Sequence, residues 1–110
     1  MRQIKSIEEM NEVISGPKPS VLVWSANWCP DCLYLNDKLP AVVENNPEFE
    51  FVKMDRDQFI DQAIEMDILG IPSFVAYKDG KEISRFVSTL RKTPEEIQAY
   101  LDQTKEKCNG

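Results

Sequence analysis

The sequence predicts an α/β domain in which a central mixed β-sheet of four to five strands is flanked by helices on both faces. Short apolar runs alternate with segments of helical periodicity, which is typical of parallel strands joined by crossover helices. An Asp79-Gly80 pair between two further strand-like runs predicts a β-hairpin, which adds an antiparallel edge. The 110 residues suit one hydrophobic core, so we expect residues 1–110 to form a single domain.

The N-terminal third of the chain contains one predicted helix and one buried strand. The helix begins at a capping-box pattern, Ser6 with Glu9, and ends at Gly16-Pro17. Its apolar face consists of Ile7, Met10 and Ile14. Residues 20–25 form a short β-branched and aromatic run without alternation, which indicates a strand covered on both faces. A further strand at residues 2–5 would be the fifth.

The middle of the chain predicts helix, strand and helix. The first helix begins near Cys29, and Pro40 should kink or end it. Its apolar residues are Leu33, Leu35, Leu39, Val42 and Val43. A strand is expected at 49–55, followed by a helix over 58–66 with Asp57 as its N-cap. The apolar residues of that helix are Ile60, Ala63 and Ile64.

The C-terminal part predicts the hairpin and a last helix. Residues 73–78 and 82–87 form the two strands of the hairpin. Thr93, Pro94 and Glu96 supply an N-cap, a proline at the first helical position and a capping-box glutamate. Ile97, Tyr100 and Leu101 then point inward, and we expect the polar tail at 104–110 to be frayed.

Composition excludes several classes of function. The balance of 13 Lys and Arg against 19 Asp and Glu argues against binding to nucleic acid. The longest apolar run, Val21 to Trp24, is too short to cross a membrane. The absence of histidine excludes Cys-His and Ser-His catalysis and His-ligated metals. No apolar signal segment is visible at the N-terminus, so we expect a cytoplasmic protein. We also expect a monomer.

The motif Trp28-Cys29-Pro30-Asp31-Cys32 carries the strongest chemical signal, because it follows a central strand and opens a helix. Free N–H groups and the helix dipole stabilise an anion there, which favours the nucleophilic thiolate. Pro30 suits the first helical position. We therefore expect Cys29 to attack and Cys32, one turn further on, to resolve. Two merely structural cysteines are the weaker interpretation, and a zinc site would need a second cysteine pair.

The pattern resembles the thioredoxin family over residues 3–103. The residues that carry the resemblance are the run from Val21 to Cys32, Gly70-Ile71-Pro72-Ser73-Phe74 and Lys78-Asp79-Gly80-Lys81. A Trp-Cys-x-x-Cys motif followed by Ile-Pro about forty residues later is a specific combination. The resemblance implies the thioredoxin fold.

The resemblance also implies roles for individual residues. Ile71-Pro72 would be a cis-proline peptide beside the thiols, where an extended substrate segment pairs with the backbone. From the residues alone, Pro72 would simply begin a strand. Trp28 would flank the active site and, with Pro30, Asp31, Ile71 and Pro72, form the substrate groove. Lys53 matches the family's lysine beneath the site, whereas Trp24 is expected in the core.

Four positions depart from the family pattern. Val23 replaces a buried aspartate thought to deprotonate the second cysteine, so the proton acceptor for Cys32 is left open. Asp55 and Asp57 are candidates by strand proximity, although a solvated, helix-capping turn is the better interpretation of them. Asp31 between the thiols, and Leu33 in place of a lysine, both disfavour the thiolate. Ser88 replaces the glycine that opens the groove.

The function expected is thiol–disulfide exchange that reduces disulfides in proteins or small molecules, with no cofactor and no metal. An external flavoprotein reductase of the thioredoxin-reductase type would regenerate the dithiol. Two alternatives stay open, a redox-silent binding module on the same scaffold and a dimer that carries a metal between its dithiols.

The remaining cysteine and basic residues have ordinary interpretations. Cys108 is expected to be a solvent-accessible thiol without a role in catalysis. Arg85, Arg91 and Lys92 are more simply a solvated basic face than a phosphate site.

Overall fold

A computed structural model describes residues 1–109, which form five strands and five helices. The strands are β1 (Arg2–Gln3), β2 (Ser20–Ser25), β3 (Glu50–Asp55), β4 (Ser73–Lys78) and β5 (Lys81–Phe86). The helices are α1 (Ile7–Ser15), α2 (Pro30–Asn36), α3 (Leu39–Glu44), α4 (Ile60–Glu65) and α5 (Pro94–Asn109). No helix in this described part of the chain combines the length and the apolar character needed to cross a membrane.

The five strands form one mixed sheet in the order β1-β3-β2-β4-β5. Strands β1, β3 and β2 are parallel, and β4 pairs antiparallel with both β2 and β5. Trp24 near the end of β2 lies opposite Ser73 at the start of β4. The crossover helices and the hairpin thus produce the mixed five-stranded arrangement expected from the sequence.

Strand β2 is the centre of the core, and all six of its residues are buried. Leu22 and Trp24 join the cluster beneath α1 and α4, whereas Val21 and Val23 join the cluster beneath α2, α3 and α5. Apolar side chains are needed on both faces, which explains why this strand shows no polar alternation. The expectation that Trp24 belongs to the core is confirmed.

The hairpin turn has the conformation that its two residues favour. Asp79 has φ 54° and Gly80 has φ 83°, and positive φ at both positions is the type I′ geometry that matches strand twist. The Asp79 N–H donates to the Gly16 carbonyl at 3.1 Å and the Gly80 N–H to the Ile14 carbonyl at 2.9 Å. The turn is therefore held against the end of α1.

The single helix expected from Cys29 through Val43 is two helices, α2 and α3. Helix α2 ends at Asn36, four residues before Pro40, and Pro40 lies in the first turn of α3. Proline clashes with the carbonyl four residues earlier and lacks an N–H, but it is tolerated in a first turn. Pro40 thus breaks the helix upstream of itself.

Helix α4 begins later than predicted, and Asp57 is not its N-cap. Phe59 occupies that position, and Asp55 Oδ1 accepts hydrogen bonds from the N–H groups of Asp57 at 2.9 Å and Gln58 at 3.3 Å. The expected apolar face is also partly wrong, since Ala63 is buried but Ile60 and Ile64 are exposed.

Helix α1 has the predicted cap but a rotated buried face. The Glu9 N–H donates to Ser6 Oγ at 3.1 Å, whereas the Glu9 carboxylate accepts from the Lys5 N–H at 2.7 Å. Val13 joins Met10 in the core, and the predicted core residue Ile7 is exposed.

Helix α5 is longer than predicted. Its capping box is as expected, with the Glu96 N–H donating to Thr93 Oγ1 at 3.2 Å. The expectation of a frayed tail is wrong for residues 104–109, because α5 continues to Asn109 and Thr104 is fully buried. Cys108 packs half-buried against the core instead of standing free in a polar tail. Gly110 lies outside the described residues.

Gly70 offers a direct test of how tightly the segment before β4 is packed. A Cβ at this position would lie 2.7 Å from the carbonyl carbon of Ser88 and 3.0 Å from Thr89 Cα. Because backbone cannot move aside cheaply, we expect Gly70→Ala to lower the free energy of unfolding by roughly 1–3 kcal/mol in urea titrations.

Gly16→Ala is the matched control. A Cβ there would meet its nearest neighbour at 3.5 Å, an ordinary contact, and φ is −70°. We expect this substitution to leave stability unchanged or to raise it by up to ~1 kcal/mol. Equal losses in the two variants would contradict the packing argument.

Candidate active site

Cys29 lies between the end of β2 and the start of α2, at the N-cap position of the helix. Pro30 is the first helical residue, and the Cys29 carbonyl accepts the Leu33 N–H at 3.0 Å. The Cys29 thiol donates a long hydrogen bond to the Ile71 carbonyl oxygen, with 3.7 Å between Sγ and O. The structure thus brings the first cysteine of the motif to the segment before β4, 42 residues away in sequence.

The Ile71-Pro72 peptide bond is cis. This peptide immediately precedes β4. Because β4 pairs antiparallel with β2, the loop that follows β2 and the segment that precedes β4 lie at the same end of the sheet. The Ser73 hydroxyl donates to the Gly70 carbonyl, which fixes this turn from its far side. Ile71 packs against the small cluster formed by Ala26, Cys29 and Cys32.

Cys32 lies one helical turn beyond Cys29 and is only 2% exposed. Burial raises the pKa of the Cys32 thiol, and its hydrogen bond with Cys29 raises it further. Hydrogen bonds with the Ser25 hydroxyl and the Ala26 backbone lower this pKa and partly oppose the effect of burial. Ser25, the last residue of β2, is therefore a polar neighbour of Cys32 that the sequence reasoning did not single out.

Cys32 also lines a cavity of about 540 Å³. Val23, Ser25, Lys53 and Pro72 contribute to the same lining. Val23 is paired with Lys53 in the sheet, so the lysine lies beneath the dithiol at the position expected from the family resemblance. Most of this lining is apolar, and Ser25 and Lys53 are among its polar side chains.

Both acidic candidates, Asp55 at the end of β3 and Asp57 after it, make contacts with groups other than Cys32. Asp55 is occupied by the turn before α4, and Asp57 Oδ2 accepts a 2.6 Å hydrogen bond from Trp28 Nε1. The Arg56 guanidinium carbon lies 5.3 Å from the centre of the Trp28 ring, and its Nε lies 3.5 Å from Asp57. Trp28 is 58% exposed, so these contacts hold an exposed ring beside Cys29 in one orientation.

The expectation of a solvated basic face is wrong for Lys92 but holds for Arg91, whose side chain is 54% exposed. Arg91 Nε lies 2.8 Å from Asp31 Oδ1, and Lys92 is 1% exposed. Burial lowers the pKa of Lys92, and the charges of Asp31 and Cys32 raise it in part. Arg85 pairs at 2.7 Å with Glu82, a residue of the same strand. No local pattern could reveal the Arg91–Asp31 pair, since 60 residues separate its members.

Comparison with known proteins agrees with this geometry. The thioredoxin family model matches residues 3–103. The chain belongs to the thioredoxin family.

Individual thioredoxins show how far the similarity extends. The chain is 33% identical to thioredoxin H2 of Arabidopsis thaliana over 74% of its own length and 61% of that protein. It is 29% identical to mitochondrial thioredoxin-2 of Schizosaccharomyces pombe, over 94% of this chain and 80% of that protein. The crystal structure of thioredoxin from Trypanosoma brucei brucei superimposes with a TM-score of 0.84 at 19% identity, covering 94% and 89% of the two chains, which establishes the shared fold.

Family membership and the proximity of Cys29 and Cys32 make this thioredoxin-family chain a thiol–disulfide oxidoreductase. Both cysteines are free thiols in the structure. Within residues 1–109, no cluster of three or more Cys, Asp or Glu side chains is arranged to hold a metal ion.

The Ser25 contact with Cys32 predicts a measurable change in acidity. Ser25→Ala removes a hydrogen bond that stabilises the thiolate, so the Cys32 pKa should rise further above the ordinary value of a cysteine thiol. The Cys32 ¹³Cβ chemical shift, followed against pH in a Cys108→Ser background, reports this directly.

Ser20→Ala is the matched control, because Ser20 is a buried serine at the other end of β2 whose hydroxyl donates to the Val13 carbonyl at 3.5 Å. It should leave the Cys32 titration unchanged. A Ser25→Ala curve that overlays the wild-type curve would remove Ser25 from the site.

Proposed function

We propose that the protein reduces disulfide bonds in other molecules, with Cys29 as the attacking thiol and Cys32 as the resolving thiol. The position of Cys29 supports this most directly. Its sulfur lies at the start of α2, 3.7 Å from the Ile71 carbonyl oxygen, whereas Cys32 lies deeper in the same helix. The free N–H groups of a helix start favour a thiolate, which is the form that attacks a disulfide.

In the first step, the Cys29 thiolate attacks one sulfur of the substrate disulfide. A mixed disulfide forms, the substrate S–S bond breaks, and the departing sulfur leaves as a thiolate that takes up a proton. No atom outside the two reacting molecules is needed apart from that proton.

In the second step, Cys32 loses its proton and attacks Cys29 Sγ. The mixed disulfide breaks, the second substrate thiolate leaves, and a Cys29–Cys32 disulfide remains, so two electrons pass to the substrate. The hydrogen bond and charge of Cys29 both raise the pKa of Cys32 in the dithiol state. Once Cys29 is bonded to substrate, these two influences disappear, and Cys32 becomes easier to deprotonate at the stage when it must react.

The substrate groove that we propose runs along Ile71 and Pro72, beside Trp28, Pro30 and Asp31. An extended substrate segment would pair with the Ile71 backbone in the manner of strand addition. The Trp28 ring is 58% exposed and so is accessible to such a segment. Ser88 departs from the family glycine, but its hydroxyl accepts the Leu90 N–H at 3.3 Å and so is engaged within its own loop.

The proposed partners are disulfide-containing proteins, small-molecule disulfides and a flavoprotein reductase that returns two electrons to the Cys29–Cys32 disulfide. Flux toward reduction suits a compartment whose thiol pool is reduced, and the cytoplasm is such a compartment. The catalytic roles, the groove and this location together constitute the proposed function.

The first test is turnover of insulin disulfides with dithiothreitol as electron donor. Wild type should catalyse the reduction, and Cys29→Ser should fall below about 1% of that rate, because the nucleophile is lost. Cys108→Ser should retain full activity, since Cys108 packs against the core far along α5. Absence of turnover by the wild-type protein would refute the reductase assignment and favour a redox-silent binding module.

The second test assigns the two thiols separately. Cys32→Ser should accumulate mixed disulfides with substrate, because the first step proceeds and the second cannot. Cys29→Ser should not accumulate them. Non-reducing electrophoresis and intact-mass measurement in the Cys108→Ser background detect these adducts, and equal trapping by both variants would show that the assignment of attacker and resolver is wrong.

A further inference from the structure

Arg91 reaches the active site from the segment between β5 and α5. Its Nε lies 2.8 Å from Asp31 Oδ1, and its guanidinium carbon lies 4.5 Å from the centre of the Tyr34 ring. Asp31 and Tyr34 both belong to α2, the helix that begins next to Cys29 and contains Cys32. The guanidinium therefore contacts the active-site helix at two points, one ionic and one aromatic.

Lys92 holds the segment that carries Arg91. Its ammonium donates to the carbonyl oxygens of Ser88 at 3.1 Å and Leu90 at 3.2 Å, and it lies 5.2 Å from the centre of the Phe86 ring. The Lys92 side chain is 1% exposed, so these bonds are shielded from water. A buried anchor directly before α5 restricts the positions that Arg91 can occupy.

The charge of Asp31 makes the position of Arg91 consequential. Asp31 is the residue between Pro30 and Cys32, so its carboxylate adds a negative charge to the first turn of the helix whose N-cap is Cys29. An unpaired carboxylate there would oppose the effect of the helix start. The 2.8 Å ion pair offsets that charge with one of opposite sign.

We propose that Arg91 is a charge-balancing residue of the active site, which cancels the effect of Asp31 on the Cys29–Cys32 dithiol and thereby sets its reactivity and reduction potential. Stabilising the thiolate form stabilises the reduced protein and makes the couple more oxidising. Without Arg91, the couple would have a more negative reduction potential, and the Cys29 thiol would react more slowly. The proposal rests on the proposed function for its biological meaning, but not for its test.

The test compares Arg91→Ala, Asp31→Asn and the double variant, all in the Cys108→Ser background. Arg91→Ala should slow alkylation of Cys29 by iodoacetamide at pH 7 by about twofold to fivefold, because the carboxylate is then unopposed. Asp31→Asn should accelerate it by a similar factor. The double variant removes both charges and should return to near the wild-type rate.

The reduction potential, measured in a glutathione buffer, supplies a readout that a purely structural role would not produce. It should become more negative in Arg91→Ala and less negative in Asp31→Asn, and a fivefold change in the equilibrium constant corresponds to about 20 mV for this two-electron couple. Arg91→Lys should restore most of the wild-type value, since it restores the charge. The differences should shrink in 1 M salt, where the Debye length is about 3 Å.

Arg85→Ala is the matched control. Arg85 forms an ion pair of similar length, 2.7 Å to Glu82, and contacts the carbonyl of Met66 instead of the active-site helix. It should change neither the alkylation rate nor the potential. The proposal is wrong if Arg91→Ala leaves both unchanged or if the two single variants shift them in the same direction. Insulin turnover does not enter this comparison, so a failure of the reductase assignment would be seen separately.

Discussion

The antiparallel pairing of β2 with β4 determines where the chemistry of this protein can occur. Trp24 lies opposite Ser73, so the chain leaves β2 at the point where it enters β4. The loop that ends in Cys29 and the Ile71-Pro72 peptide are therefore neighbours, and the 3.7 Å separation of Cys29 Sγ and the Ile71 oxygen follows. The register cannot slip by one residue, because a slip would exchange the buried faces of β2. The packing of the core therefore fixes the position of Cys29 relative to the Ile71-Pro72 peptide.

Features with a local physical cause could be predicted from the sequence. The bounds of β2 and β4, the Asp79-Gly80 turn and the Thr93 cap all depend on neighbours within a few residues, and the structure has them as expected. Periodicity was less reliable for short helices. In α4 the core reaches only Ala63, because a six-residue helix has room for little more than one inward turn, and Ile60 and Ile64 remain exposed.

The contacts at the site that the sequence does not reveal share a different cause. Asp57 and Arg91 have partners that are distant in sequence: Trp28 is 29 residues from Asp57, and Asp31 is 60 residues from Arg91. A single sequence offers no signal for such pairs, so the solvated interpretation is the natural default. Ser25 was overlooked for a related reason, since a serine at a strand end is ordinary until Cys32 is placed against it.

These long-range contacts compensate for the positions at which the chain departs from its family. Val23 leaves no carboxylate beneath Cys32, but the Ser25 hydroxyl hydrogen-bonds with that thiol, and Lys53 lines the same cavity. Asp31 adds a charge beside Cys29, but Arg91 neutralises it at 2.8 Å. In each case a residue from another element supplies a polar or charged contact that the motif itself lacks. The Cys-Pro-Asp-Cys motif therefore cannot be interpreted alone, because its electrostatics depend on the segment held by Lys92 as much as on the helix start.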